Sequence, residues 1–171
     1  MSGARLRTYA RSFARVHQPP GDARKGTAMS TMIFVNLPTD DLERSKAFYT
    51  ALGCEINPLF TDENAASIVW SEDIFFMVLT RDFFATFTDK KIADTRTTAQ
   101  ALVAFTRESR EDVDSVLEKG IAAGGSEPRP AQDHGFMYSR TLEDPDGNIL
   151  EFLYMEPQAA EVGPDAYMES Q

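Results

Sequence analysis

Glu143-Asp144-Pro145-Asp146-Gly147-Asn148-Ile149-Leu150-Glu151-Phe152 is a tight turn that runs straight into an apolar strand carrying one carboxylate. Pro145 presets the backbone angle of a turn, Gly147 and Asn148 tolerate the positive φ a turn needs, and Asp144 can close it through its side chain. From Ile149 to Met155 almost every residue is apolar, which predicts a strand buried on both faces with Glu151 pointing into an interior. A carboxylate in such a place needs a hydrogen-bonding partner, a cation, a metal or a proton.

Working outward from this turn, a second motif stands near the other end of the chain. Leu37-Pro38-Thr39-Asp40-Asp41-Leu42-Glu43-Arg44-Ser45-Lys46-Ala47-Phe48-Tyr49-Thr50-Ala51-Leu52-Gly53 follows the apolar run Ile33, Phe34, Val35. The run reads as a buried strand. The stretch after it reads as a helix with Asp40 and Glu43 in capping-box spacing, an inner stripe of Leu42, Phe48, Tyr49 and Leu52, and a stop at Gly53. Short β-rich pieces follow near 54–60, 65–71 and 74–80. After a connector at 81–98, partly helical, the same order recurs: a strand over 101–106, a helix capped by Ser109 with Asp112 and stopped at Gly124-Gly125, then strands near 126–132, 135–142 and 149–155. The two units are offset by roughly 70 residues, and one such unit cannot bury its sheet alone.

The turn and its strand resemble the last hairpin of the vicinal oxygen chelate superfamily, which contains glyoxalase I, bleomycin resistance proteins and extradiol dioxygenases. Leu37 to Gly53 is similar to that superfamily's first strand-to-helix stretch, with its Phe-Tyr and Leu-Gly pairs. The resemblance covers residues 31–156, and its tone is that of the lactoylglutathione-lyase-like branch. It implies an α+β fold in which two tandem βαβββ modules, 31–80 and 99–156, form a curved mixed sheet around a cavity.

In metal-dependent members of the superfamily, ligands come from the first and last strand of each module. Carried over by register, those positions fall on Phe34, Val78, Leu102 and Glu151, of which only Glu151 is a competent ligand. Zn, Ni, Fe or Mn sites need three or four donors, usually with imidazole among them. The body of the domain holds one His, His134, in the loop Gln132-Asp133-His134-Gly135, where a solvated side chain is the ordinary reading. Asn36, Asp133 and His134 are the remaining candidates for an unorthodox site. The expectation is therefore no cofactor, with a divalent metal at Glu151 as the alternative.

Alternation along strands places Phe34 with Asn36, Phe76 with Val78, Leu102 with Ala104, and Glu151 with Leu153. Together with Trp70 and Tyr138 these residues are expected to line an apolar pocket with two polar points, the ordinary form of a small-molecule site. Glu151 is the one candidate for an acid–base role. Phe83, Phe84 and Phe87 in the connector read as a lid or a subunit contact, and Arg140 shares a strand face with Tyr138 as a candidate partner for the carboxylate. A homodimer is expected from the resemblance and from this apolar connector. Two functions follow: a metal-free protein that binds a small molecule, or a metal-dependent lyase or isomerase resembling lactoylglutathione lyase.

Composition narrows the classes further. A chain of 171 residues with 42% hydrophobic residues is one domain with a sizeable core. The net charge of −10 argues against nucleic acid, whose phosphates need clustered Lys and Arg. No apolar run reaches the roughly 18–20 residues of a membrane span. Cys54 is the only cysteine, so no disulfide forms within the chain, which fits a reducing, cytoplasmic setting. Residues 1–29 carry a balance of +5, leaving −15 for the rest. The segment 1–30 is expected to be a basic disordered extension, with an organelle transit peptide as the alternative, and 157–171 a loosely held tail.

Overall fold

The computed structural model describes residues 31–171, so the expectations for the basic extension lie outside the described residues. All regular elements of the described residues belong to the unit Ile33–Gln171. The first module runs β1 (Ile33–Thr39), α1 (Leu42–Ala51), β2 (Glu55–Asn57), a 3-10 turn (Pro58–Phe60), β3 (Ala65–Val69) and β4 (Ile74–Thr80). The connector opens with one short helix, α2 (Arg81–Phe84), and a 3-10 turn (Ala85–Phe87). The second module runs β5 (Leu102–Thr106), α3 (Arg110–Ala122), β6 (Gln132–Asp133), β7 (Met137–Glu143) and β8 (Ile149–Met155).

Each module makes a four-stranded mixed sheet, in the orders β1-β4-β3-β2 and β5-β8-β7-β6, with the first and last strand of the module parallel. The repeated βαβββ order expected from the chain is the observed architecture. The sheets and both long helices share one core. Phe48, Tyr49 and Leu52 of the first module meet Val113, Val116 and Leu117 of α3, and strand residues Phe76, Val78, Leu142, Leu150 and Phe152 join them. A ladder of rings crosses between modules: Trp70 stacks on Phe105 with centroids 4.4 Å apart, and Phe105 on Phe152 at 5.7 Å. Gly120 is needed where α3 crosses β7, because a Cβ there would stand 2.3 Å from Leu142 Cδ2.

Two local expectations are corrected. The cap of α1 is Asp41, which accepts from Arg44 N at 3.0 Å, while Asp40 one residue earlier takes Arg81 at 2.6 Å and Arg96 at 3.2 Å. Either Asp satisfies the chemistry of a cap, and the connector's two guanidinium groups claim the first. The strand expected near 126–132 shrinks to β6 and a single bridge from Ser126 to Glu143, since Pro128 and Pro130 cannot donate to a ladder. The tail is helical over α4 (Pro157–Val162) and α5 (Pro164–Glu169), each with Pro in its first turn, and Ala159 is buried. No helix among the described residues is long and apolar enough to cross a membrane.

Candidate functional site

The turn that opens the second hairpin folds back onto the first module. Gly147 adopts φ +84°, and a Cβ there would lie 2.9 Å from Thr95 O, so this position takes glycine for two reasons. Asp144 closes the turn through the backbone N–H groups of Asp146 and Asn148 at 2.9 and 2.8 Å. Its other oxygen accepts from Asn148 Nδ2 at 2.9 Å and from the Tyr49 hydroxyl at 2.8 Å. Asp146, its side chain only 1% exposed, accepts from Thr39 Oγ1 at 2.7 Å, Asp40 N at 3.0 Å, Arg44 Nη2 at 2.7 Å and Ser45 Oγ at 3.1 Å. The Thr95 hydroxyl donates to Asp146 O. The two motifs singled out in the sequence are thus the two halves of one buried staple between modules.

Burial pushes the Asp144 carboxyl up, against the pull of its donors on Asn148 and Tyr49. The Tyr49 hydroxyl is pushed well above its usual range by burial and by the adjacent Asp144, so it stays protonated and donates. Tyr49→Phe removes that donor and leaves a buried carboxylate one partner short. The expected cost is about 1–3 kcal/mol, read as a lower urea midpoint with an unchanged slope.

Glu151 sits elsewhere. Residues paired across a ladder share a face, and Ala104, Glu151 and Thr141 are paired in one row, with Leu102 beside Ile149 and Thr106 beside Leu153. Leu142, Leu150 and Phe152 point to the core with α3, so the Glu151 row occupies the opposite face. That face is open: Leu102 is 54% exposed, Ala104 and Thr106 are exposed, and Ile149, Glu151 and Leu153 are half-buried. The expectation of a strand buried on both faces is therefore corrected, because β5 ends its sheet and offers only Ala104 beside the carboxylate. Ser139, buried and on the same face, stands with its Oγ 3.5 Å from Glu151 Oε1.

The pocket read from alternation separates into two faces. In β1 and β4 the pairs are Phe34 with Phe75 and Asn36 with Met77. Phe34 and Asn36 thus share a face with Phe75, Met77 and Leu79, whereas Phe76 and Val78 face the shared core. The same core side takes Trp70 and Tyr138. Of the expected lining, Phe34 and Asn36 stand on the matching face of the first sheet, and Leu102, Glu151 and Leu153 are together on the second. The counterpart of Glu151 in the first module is Met77, not Val78, since each is flanked by two core residues and pairs across to the middle of the first strand. Superposing Leu150-Glu151-Phe152 on Phe76-Met77-Val78 in the sequence is the signal that would have found it.

Arg140 is no partner of Glu151. It lies opposite Phe152 in the ladder and pairs with Glu127 at 2.7 Å and Asp114 at 2.9 Å, while the Tyr138 hydroxyl donates to the same Asp114 at 2.8 Å. Phe83 and Phe87 meet edge to face at 5.2 Å. Asp133 and His134 are exposed, and Arg110 holds Asp133 at 2.6 Å, which with its hydrogen bond keeps that carboxyl below its usual range.

The positions that would carry a divalent metal thus present an amide at Asn36, a thioether at Met77, a methyl at Ala104 and one carboxylate at Glu151. Among the described residues no group of three or more His, Cys, Asp or Glu side chains is placed to hold a metal ion. This donor set does not fit Zn, Ni or Fe, which need three or four nitrogen, sulfur or oxygen donors at one point.

Comparison with known proteins bears on the class. A family profile for the N-terminal part of bleomycin resistance-like proteins matches residues 31–71. Among solved structures, a glyoxalase/bleomycin resistance protein/dioxygenase family enzyme from Burkholderia phytofirmans is 18% identical with TM-score 0.62, over 74% of this chain and 100% of that one. A hypothetical protein from S. aureus is 23% identical with TM-score 0.63, over 74% and 95%. A glyoxalase/bleomycin resistance protein from Albidiferax ferrireducens is 26% identical with TM-score 0.54, over 72% and 97%. No curated protein matches the chain. The fold is that of the glyoxalase/bleomycin resistance proteins. The family profile and the solved structures agree on this fold.

Proposed function

We propose that this is a small-molecule-binding protein of the vicinal oxygen chelate type that works without a metal, its ligand lying on the open face of β5, β8 and β7. One observation carries the reading: Glu151 is a half-buried carboxylate set among Leu102, Ala104, Ile149 and Leu153, with Ser139 Oγ 3.5 Å away and Thr141 paired beside it. Apolar surface around one placed polar group is the composition of a ligand site. The ligand that complements it has an apolar or aromatic body and a cationic or hydrogen-donating group for Glu151. Ile33 and Leu102, exposed at the starts of the two edge strands, favour a homodimer, which sedimentation at micromolar concentration tests.

A cationic aromatic dye such as berberine is the probe. Saturable binding is expected, weakened about tenfold or more by Glu151→Ala. Elemental analysis of the purified protein is expected to find less than stoichiometric Zn, Ni, Fe or Mn. Near one metal per chain, lost on Glu151→Ala, would return the reading to a metal-dependent lyase or isomerase.

A further inference from the structure

The seam between the modules holds a cation that the open face does not use. Arg107 follows β5, its backbone N–H donating to Leu153 O at 2.7 Å. Its guanidinium carbon stands 4.9 Å over the Phe152 ring and 6.0 Å from the centre of Trp70. Most other arginines of the described residues have acids: Arg44 has Asp146, Arg81 and Arg96 share Asp40, Arg110 has Asp133, and Arg140 has Glu127 and Asp114, while Arg129 donates to Thr141 Oγ1. The Arg107 guanidinium, on a half-buried residue, has no acid and no hydrogen-bond acceptor among the described residues. Beside it the indole Nε1 of Trp70 is buried and also lacks an acceptor.

A donor withdrawn from water without an acceptor costs free energy, and the buried Trp70 indole N–H is one, while the Arg107 guanidinium that faces its ring is a cation without an acid that still meets solvent. The neighbouring side chains Phe105, Phe152 and Cys54 bring no negative charge, since burial pushes the Cys54 thiol up to about 12. We propose that Arg107 and Trp70 form an anion site at the module seam, and that its ligand is an aromatic carboxylate. The guanidinium fork matches a carboxylate, and the half-buried Trp70 ring that it faces suits a planar body. Arg107 extends on the core side of β5, across the sheet from Glu151, so this site and the open face are separate.

Trp70 is the only tryptophan of the chain, which makes its emission a reporter of the site. Benzoate titrated into the full-length protein is expected to change that emission saturably, while benzamide and benzylamine at equal concentration leave it unchanged. Arg107→Gln is expected to weaken the benzoate response about tenfold or more, whereas Glu151→Gln leaves it intact. Circular dichroism and the urea midpoint establish that Arg107→Gln is folded. Should that variant not fold, the indole N–H resonance of the unaltered protein replaces it, and it is expected to shift on benzoate addition and not on benzamide addition. An unchanged emission with benzoate, an equal response to benzamide, a full response in folded Arg107→Gln, or an unmoved indole resonance overturns the proposal. Because Glu151→Gln spares this site and Arg107→Gln spares dye binding on the open face, the two readings fail independently.

Discussion

Asp146→Ala is expected to lower folding stability by about 3–5 kcal/mol, the cost of breaking a buried charge pair from one side. The side chain is 1% exposed, and its two oxygens together accept four hydrogen bonds from Thr39, Asp40, Arg44 and Ser45. Removing the carboxylate strands the Asp40 N–H and two hydroxyls in a dry place and frees the Arg44 guanidinium, which is 39% exposed and regains water. Asp146→Asn is expected to cost less than Asp146→Ala. One oxygen survives to accept from Asp40 N and Arg44, and the amide can donate to the Thr39 and Ser45 hydroxyls, which rotate to accept. Urea unfolding of the three proteins checks the order, and equal losses for Asn and Ala would remove the buried hydrogen-bonding account.

Phe152→Ala is expected to cost a similar amount, about 3–5 kcal/mol, for a different reason. Phe152 is fully buried, stacked on Phe105 at 5.7 Å, 6.1 Å from the Trp70 ring and roofed by Arg107 at 4.9 Å. Its loss opens a hole in the ring ladder where the modules join, and neighbours held in a close-packed core cannot collapse fully into it. Trp70 emission in the native state is expected to shift red as water reaches the seam. A loss below about 1.5 kcal/mol would mean the site repacks freely. The two substitutions are in different networks, one polar at the turn and one apolar at the seam, so their effects are expected to add.

The fold was legible because its signals are local. Val35 and Leu37, Leu42 with Phe48 and Tyr49, and Val113 with Val116 and Leu117 carry strand and helix periods that need no partner to be read. The pairing of strands is not local, and there the reading failed. From Ile74 to Leu79 every residue of β4 is apolar, so no alternation announces which side of it faces α1, and the sequence register falls on Val78 although Met77 holds the position. Glu151 was expected in an interior because its own strand is apolar, whereas its exposure is set by Ala104 on β5, 47 positions away in the ladder pairing of Ala104 with Glu151. Asp144 and Asp146 read as turn residues from their neighbours. That they reach Tyr49 and Thr39 is a fact of tertiary structure that spacing along the chain does not encode.

That reach also sets an order of events during synthesis. The hydrogen bonds from Tyr49 to Asp144 and from Thr39 to Asp146 join residues 95 and 107 positions apart. Closing so long a loop precedes any reward from the contact. A ribosome adding roughly 5–20 residues per second therefore leaves the corner of β1 and α1 without its carboxylates for several seconds after that corner has emerged. Through that interval Thr39, Ser45 and Tyr49 have only water or a foreign acceptor, and the first module is an unfinished half that waits for the last hairpin to arrive.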